Sequence, residues 1–116
     1  MRNFKELEIW KRSLELVDKV YEESNSLPPD ERFGLTSQIR RSAVSIPSNI
    51  AEGCSRSTNK DFARFLGIAI GSAFELETQL LIAVRRKMLN ETSTTALLNE
   101  LNQIQKMINA FHKSLN

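Results

Sequence analysis

Residues Gln38 to Gly53 read "QIRRSAVSIPSNIAEG", a stretch with the apolar spacing of a helix, a proline at its centre and two adjacent arginines. Thr36, Ile39, Ala43, Ile46, Ile50 and Gly53 recur at intervals of three and four, which places them on one helical face. Pro47 has no amide hydrogen for the carbonyl of Ala43 and its ring crowds that carbonyl, so a helix running through it kinks at a cost of about 3 kcal/mol. Ser42, Ser45 and Ser48 carry hydroxyls that can bond freed or nearby carbonyls. In the alternative, Ser45 caps a fresh helix with the proline in its first turn. The rhythm from Ile39 through Ile46 to Ile50 passes the proline without a phase shift, which favours one kinked helix.

The same rhythm extends outward in both directions. Leu7, Trp10, Leu14, Val17 and Tyr21 form a stripe that ends before "NSLPPDE", where Pro28 and Pro29 remove donors and disfavour helix. Gly53, in "EGCSRSTN", reads as a left-handed helix stop, and Thr58 with Asp61 as a capping pair that opens the next helix. The third stripe is Phe62, Leu66, Ala69, Ala73, Leu76, Leu80 and Ala83. The fourth is Leu97, Leu101, Ile104, Ile108, Phe111 and Leu115, after the cap-rich "NETSTT". Alternating strand patterns and repeats are absent. Short turns make sequence neighbours antiparallel, so the reading is all-α: one domain over residues 1–116, an up-down-up-down four-helix bundle.

The totals fit that size. A chain of 116 residues buries a core without staples, and an apolar fraction of 41% with 26% charged residues is ordinary for a globular domain. One cysteine, Cys54, forms no internal disulfide, which fits a reducing compartment; the charged N-terminus is unlike a signal peptide, and no run of about 18 uncharged apolar residues offers a membrane span. The expected location is cytoplasmic. The net charge of +2 conceals an uneven distribution. Residues 1–31 hold five basic and eight acidic side chains, whereas residues 32–64 hold six basic ones against Glu52 and Asp61. The middle of the chain is therefore basic.

The third helix carries more apolar surface than one seam uses, because Phe65, Ile68, Ile70, Phe74, Leu81, Ile82 and Val84 spread beyond its stripe. Ala63, Gly67 and Gly71 also fall four apart, although a glycine inside a helix costs about 1 kcal/mol relative to alanine. Small residues at that spacing let backbones approach, either within the bundle or between subunits. The surplus apolar surface favours a homo-oligomer.

"RFGLTSQIRRSAVSIPSNIAEG" followed by "DFARFLGIAIGSAFELETQL" resembles the bacterial four-helix-bundle proteins called 23S ribosomal RNA intervening-sequence proteins. Gln38, Arg40, Arg41, Pro47, Asn49, Glu52 and Gly53, then Gly71, Ser72, Glu75 and Glu77, carry the resemblance, which covers nearly the whole chain. It implies a left-handed twist in the bundle, assembly as a homopentamer and a role around RNA.

Catalytic and metal chemistry find little support. His112 is the single histidine, with Asn109 where a di-iron bundle has glutamate, so no metal site or cofactor is expected. Cys54 reads as an ordinary exposed thiol in a turn, with Arg56 alone to activate it. Glu75 and Glu77 point in different directions along a helix and are better suited to binding arginines than to acid–base work. Arg85, Arg86 and Lys87 complement the C-terminal end of the helix dipole. Arg56, Lys60 and Arg64 oppose the dipole at a helix start, which suits a phosphate-facing rim, although no aromatic residues interleave them. Arg40 and Arg41 interrupt a small, hydroxyl-rich face with no acid within one turn. Arg40, Arg41, Arg56, Lys60 and Arg64 are thus the candidate RNA-binding residues of a non-enzymatic protein. The alternative is an interaction scaffold that shows Arg40 and Arg41 to an acidic protein.

Overall fold

A computed structural model of the chain describes residues 1–115. Four α-helices account for most of it: α1 (Glu8–Ser24), α2 (Leu35–Cys54), α3 (Asn59–Arg85) and α4 (Glu91–Ser114), with single 3-10 turns at Phe4–Glu6 and Pro29–Glu31. No strand occurs among the described residues, so the fold is all-α. α2 packs on α1 and α3, and α4 packs on α3 and α1. At 1.5 Å per residue the 27 residues of α3 span about 40 Å, and this helix sets the 43 Å long dimension of the molecule.

Three of the four expected stripes form the core. Ile39, Ala43, Ile46 and Ile50 of α2 are all 0% exposed, and every stripe residue of α3 is buried, as are Leu97, Leu101, Ile104 and Ile108 of α4. α2 therefore runs unbroken past Pro47, which is itself buried, and a fresh start at Ser45 is not what the chain does. Ser48 Oγ donates to the Val44 carbonyl at 2.8 Å, whereas Ser45 Oγ lies 2.7 Å from Ser72 Oγ on α3. Small residues on both helices bring the two this close.

α1 departs from the sequence reading. Its buried residues are Ile9, Ser13, Leu16, Val20 and Ser24, while Leu14 and Tyr21 of the expected stripe are exposed and Trp10 and Val17 only half-buried. Two serines disguise the core stripe. Each satisfies its hydroxyl on its own helix, Ser13 on the Ile9 carbonyl at 2.6 Å and Ser24 on the Tyr21 carbonyl at 3.1 Å, so both can be buried. The larger neighbouring side chains are left facing outward beside α2.

Gly53 is not a left-handed stop. No glycine in the described residues has positive φ, and α2 continues to Cys54. Gly53 is instead where α3 comes in: a Cβ there would lie 2.7 Å from Phe62 Cδ1. Cys54 is likewise neither exposed nor in a turn, being the buried last residue of α2. Thr58 does cap α3, its Oγ1 accepting from the Asp61 amide at 3.1 Å, and Asn90 caps α4 through the Ser93 amide at 3.0 Å. Among the described residues Lys87, φ 61°, is the one left-handed residue, after which the Met88 amide bonds back to the Ala83 carbonyl at 2.8 Å.

Polar contacts tie α4 across the bundle. Glu23 Oε1 accepts from Ser93 Oγ and Thr94 Oγ1 at 2.7 and 3.0 Å, Lys19 pairs with Glu100, and Arg12 Nη2 donates to Gln103 Oε1 at 3.0 Å. Gln105 Nε2 donates to Glu77 Oε1 at 2.9 Å, so Glu77 is held by an amide within the chain rather than by an arginine. α3 is long and apolar enough to cross a bilayer by length and composition. A helix at the centre of a bundle core meets the same test, and α3 lies between α2 and α4.

Candidate nucleic-acid interface

The connection between α1 and α2 builds one end of the site. Leu27 is buried and anchors the loop, Pro28 and Pro29 start its 3-10 turn, and Glu31 Oε1 accepts the Leu35 amide at 3.0 Å at the start of α2. With Leu27 filling the apolar position, Phe33 is left 88% exposed, and the Arg32 guanidinium stands 5.2 Å from its ring centroid.

One turn into α2, Arg40 turns back toward α1. Its Nε donates to Ser24 Oγ at 2.9 Å, its Nη2 to Asn25 Oδ1 at 3.0 Å, and the guanidinium lies 4.7 Å from the Tyr21 ring centroid. The side chain is a fixed clamp between the two helices as well as a charge. Arg41 is exposed and makes no hydrogen bond or ion pair among the described residues. Arg32, Arg40 and Arg41 line a common furrow of about 640 Å³ with Tyr21, Phe33 and Ser37, and no carboxylate lines it. Arg41 also borders a second hollow of about 390 Å³, where Glu75 and Gln79 lie opposite without pairing to it.

Arg56, Lys60 and Arg64 gather elsewhere. Arg56 and Arg64 flank Phe65, their guanidinium carbons 4.6 and 4.5 Å from its ring centroid, and each also meets an acid: Arg56 with Glu52 at 3.0 Å, Arg64 with Asp61 at 3.8 Å. Lys60 is exposed and unpaired among the described residues. Fifteen positions separate Arg41 from Arg56, about 22 Å along a helix, so the five candidates form two groups and not one patch.

The sequence reading missed the aromatic partners. Periodicity assigns Tyr21 to the core stripe, and Phe33 is one apolar residue in a loop, where periodicity carries no signal. The structure puts both beside the arginines. Arg32, noted only in the count of charges, belongs with them too.

Two apolar surfaces remain uncovered. On the outer face of α3, a Cβ added at Gly67 or Gly71 would meet nothing within 4 Å, so these glycines do not serve packing inside this chain. Ile68, Phe74, Leu81 and Ile82 are also exposed along α3, Phe74 by 55% and Leu81 by 50%. Between α1 and α2, Trp10, Leu14, Val17, Val44, Pro47 and Ala51 line an apolar furrow of about 300 Å³.

Comparison with known proteins converges on one family. The sequence model described as 23S rRNA-intervening sequence protein matches residues 5–110. The crystal structure of a protein of unknown function from the S23 ribosomal protein family of Bacteroides thetaiotaomicron VPI-5482 is similar with a TM-score of 0.84 and 26% sequence identity, covering 90% of this chain and 98% of that one. No curated protein matches.

Proposed function

Because this chain belongs to the family of 23S rRNA-intervening sequence proteins, a family of unknown function, we propose that it is a non-enzymatic, self-assembling bundle protein of the cytoplasm that binds RNA through a basic surface. The bundle is antiparallel, up-down-up-down. Supporting that topology, Arg12 and Glu23 of α1 reach Gln103 and Ser93 of α4 respectively, and Ser45 and Gly53 of α2 face Ser72 and Phe62 of α3. Its alternating three-and-four spacing supports a left-handed twist.

One observation carries the RNA reading: three arginines line a furrow that contains no carboxylate. Guanidinium groups match phosphate oxygens through paired hydrogen bonds, and a site without acids does not repel a polyanion. Assembly rests on the open face of α3. The mate proposed for it is the apolar furrow between α1 and α2 of the next copy, a heterologous contact of the kind that can close into a ring, and the resemblance to the family supports a pentamer. A ring repeats the arginine furrow and concentrates positive charge.

Salt dependence tests the reading. Arg41→Ala should weaken RNA binding across sequences and reduce the slope of log affinity against log salt by about one, because one fewer phosphate contact releases counterions. Substituting Lys60, at the other end, should do the same if both groups touch RNA. Unchanged affinity and slope in Arg41→Ala would remove the leading support. The second reading, a scaffold that shows Arg40 and Arg41 to an acidic protein, is favoured by the unpaired Arg41 guanidinium, which takes a carboxylate as well as a phosphate; in that case the protein binds no RNA even at low salt.

A further inference from the structure

We infer that the arginine-lined furrow at the α1–α2 connection, distinct from the apolar furrow along Trp10 and Leu14, is a subsite for one unstacked nucleotide of single-stranded RNA, its base lying on Phe33 and its flanking phosphates held by Arg32 and Arg41. The inference rests on the RNA reading above and sharpens it from a diffuse basic surface to a site that tells single strands from duplexes.

Four features of the furrow point the same way. Phe33 exposes 88% of its surface at a place where Leu27, six residues earlier, already plugs the core. An exposed aromatic ring among cations is the stacking platform of single-strand binders, since every base offers a π-face. The Arg32 guanidinium lies over one face of that ring, which leaves the opposite face for a base, and it can meet the phosphate of the base stacked there. Arg40 is held by Ser24, Asn25 and the Tyr21 ring, which leaves its Nη1 without a partner among the described residues. It therefore supplies a charge and a donor whose position is set before RNA arrives. The Ser37 hydroxyl completes the lining with a group able to bond a phosphate or a 2′-hydroxyl. In a duplex the bases are stacked on each other, and only the backbone could reach this furrow.

The native oligomer is titrated with a fluorescein-labelled twelve-nucleotide single strand and with a twelve-base-pair RNA duplex, at several salt concentrations. Phe33→Leu, which keeps apolar bulk and loses the π-face, should weaken single-strand binding roughly 5- to 100-fold with the salt slope unchanged. Phe33→Trp should bind at least as tightly as the native protein, and duplex affinity should be the same in all three. Arg41→Ala should weaken both ligands and lower the slope. If Phe33→Leu binds the single strand like the native protein while Arg41→Ala still loses affinity, the stacking subsite is wrong and the basic-surface reading survives. Failure of the native protein to bind either RNA overturns both. If Phe33→Leu loses RNA only as light scattering shows the oligomer dissociating, Phe33 is a subunit contact and the inference also fails.

Discussion

A methyl group on residue 53 would lie 2.7 Å from Phe62 Cδ1 and 3.0 Å from Phe65 Cβ, closer than carbon atoms pack, so Gly53→Ala must push α3 away from α2. The clash should outweigh the gain of about 1 kcal/mol in helix propensity and leave the protein less stable by about 1–2 kcal/mol in urea unfolding. Lys87 presents the opposite case. Its φ of 61° holds a side-chain-bearing residue in the left-handed region, where glycine is at no disadvantage, so Lys87→Gly should raise stability by up to about 1 kcal/mol. Cys54 gives a pH dependence. Burial pushes its thiol above the ordinary range, against the smaller opposing effects of Arg2 and the N-terminal amine. The folded state then keeps a proton that the unfolded chain gives up, so stability is unaffected at neutral pH and falls as pH rises from the ordinary thiol pKa through the folded one. Unfolding curves from pH 7 to 10 should show that extra loss relative to Cys54→Ala; equal losses would mean the buried thiol is not the cause.

Along α2 two adjacent arginines have different duties. Arg40 reaches Ser24, Asn25 and Tyr21 on or beside α1, so Arg40→Ala should cost about 1–2 kcal/mol of stability, with part of the gain from its charged hydrogen bonds discounted for exposure. Arg41→Ala should leave the unfolding midpoint within experimental error, since its side chain makes no such bond. A double substitution would mix the two effects and lose this distinction. That difference was not legible in sequence, where both are cations on a hydroxyl-rich face; Arg40 acquires its partners from residues fifteen and sixteen positions earlier, brought near only by the turn at Pro28 and Pro29. The stripes of α2, α3 and α4 and the Thr58 cap were legible because spacing and capping are local properties. α1 misled for a related reason: Ser13 and Ser24 are polar by type yet buried, each bonded to its own helix. Of the candidate site, the arginines could be read and Phe33 could not, because nothing periodic marks a single exposed ring.

At the scale of the whole molecule, the outer face of α3 decides between two explanations of Gly67 and Gly71. Close packing inside the chain is excluded by the open space around both, and a glycine inside a helix costs about 1 kcal/mol relative to alanine, which only a close contact made possible by its missing side chain would offset. The neighbouring subunit of the proposed oligomer would supply that contact and would cover the exposed Ile68, Phe74, Leu81 and Ile82 at the same time. The two kinds of substitution should then move in opposite directions. Gly67→Ala and Gly71→Ala add methyl groups where the proposed next copy would come close, so they should weaken the oligomer while making the isolated, dissociated chain more stable by up to about 1 kcal/mol each. Leu81→Asp removes apolar contact and places a charge in the interface, so light scattering after size exclusion should move toward the 13.2 kDa of a single chain with the helical circular dichroism retained, because Leu81 is half exposed in the monomer. A native protein that is monodisperse at 13.2 kDa in micromolar solution defeats the assembly proposal outright. A dimer or tetramer defeats only the pentamer. If the oligomer persists in Leu81→Asp but dissociates when Trp10 or Leu14 is made charged, copies meet through the α1–α2 furrow alone, and the glycines of α3 need another explanation.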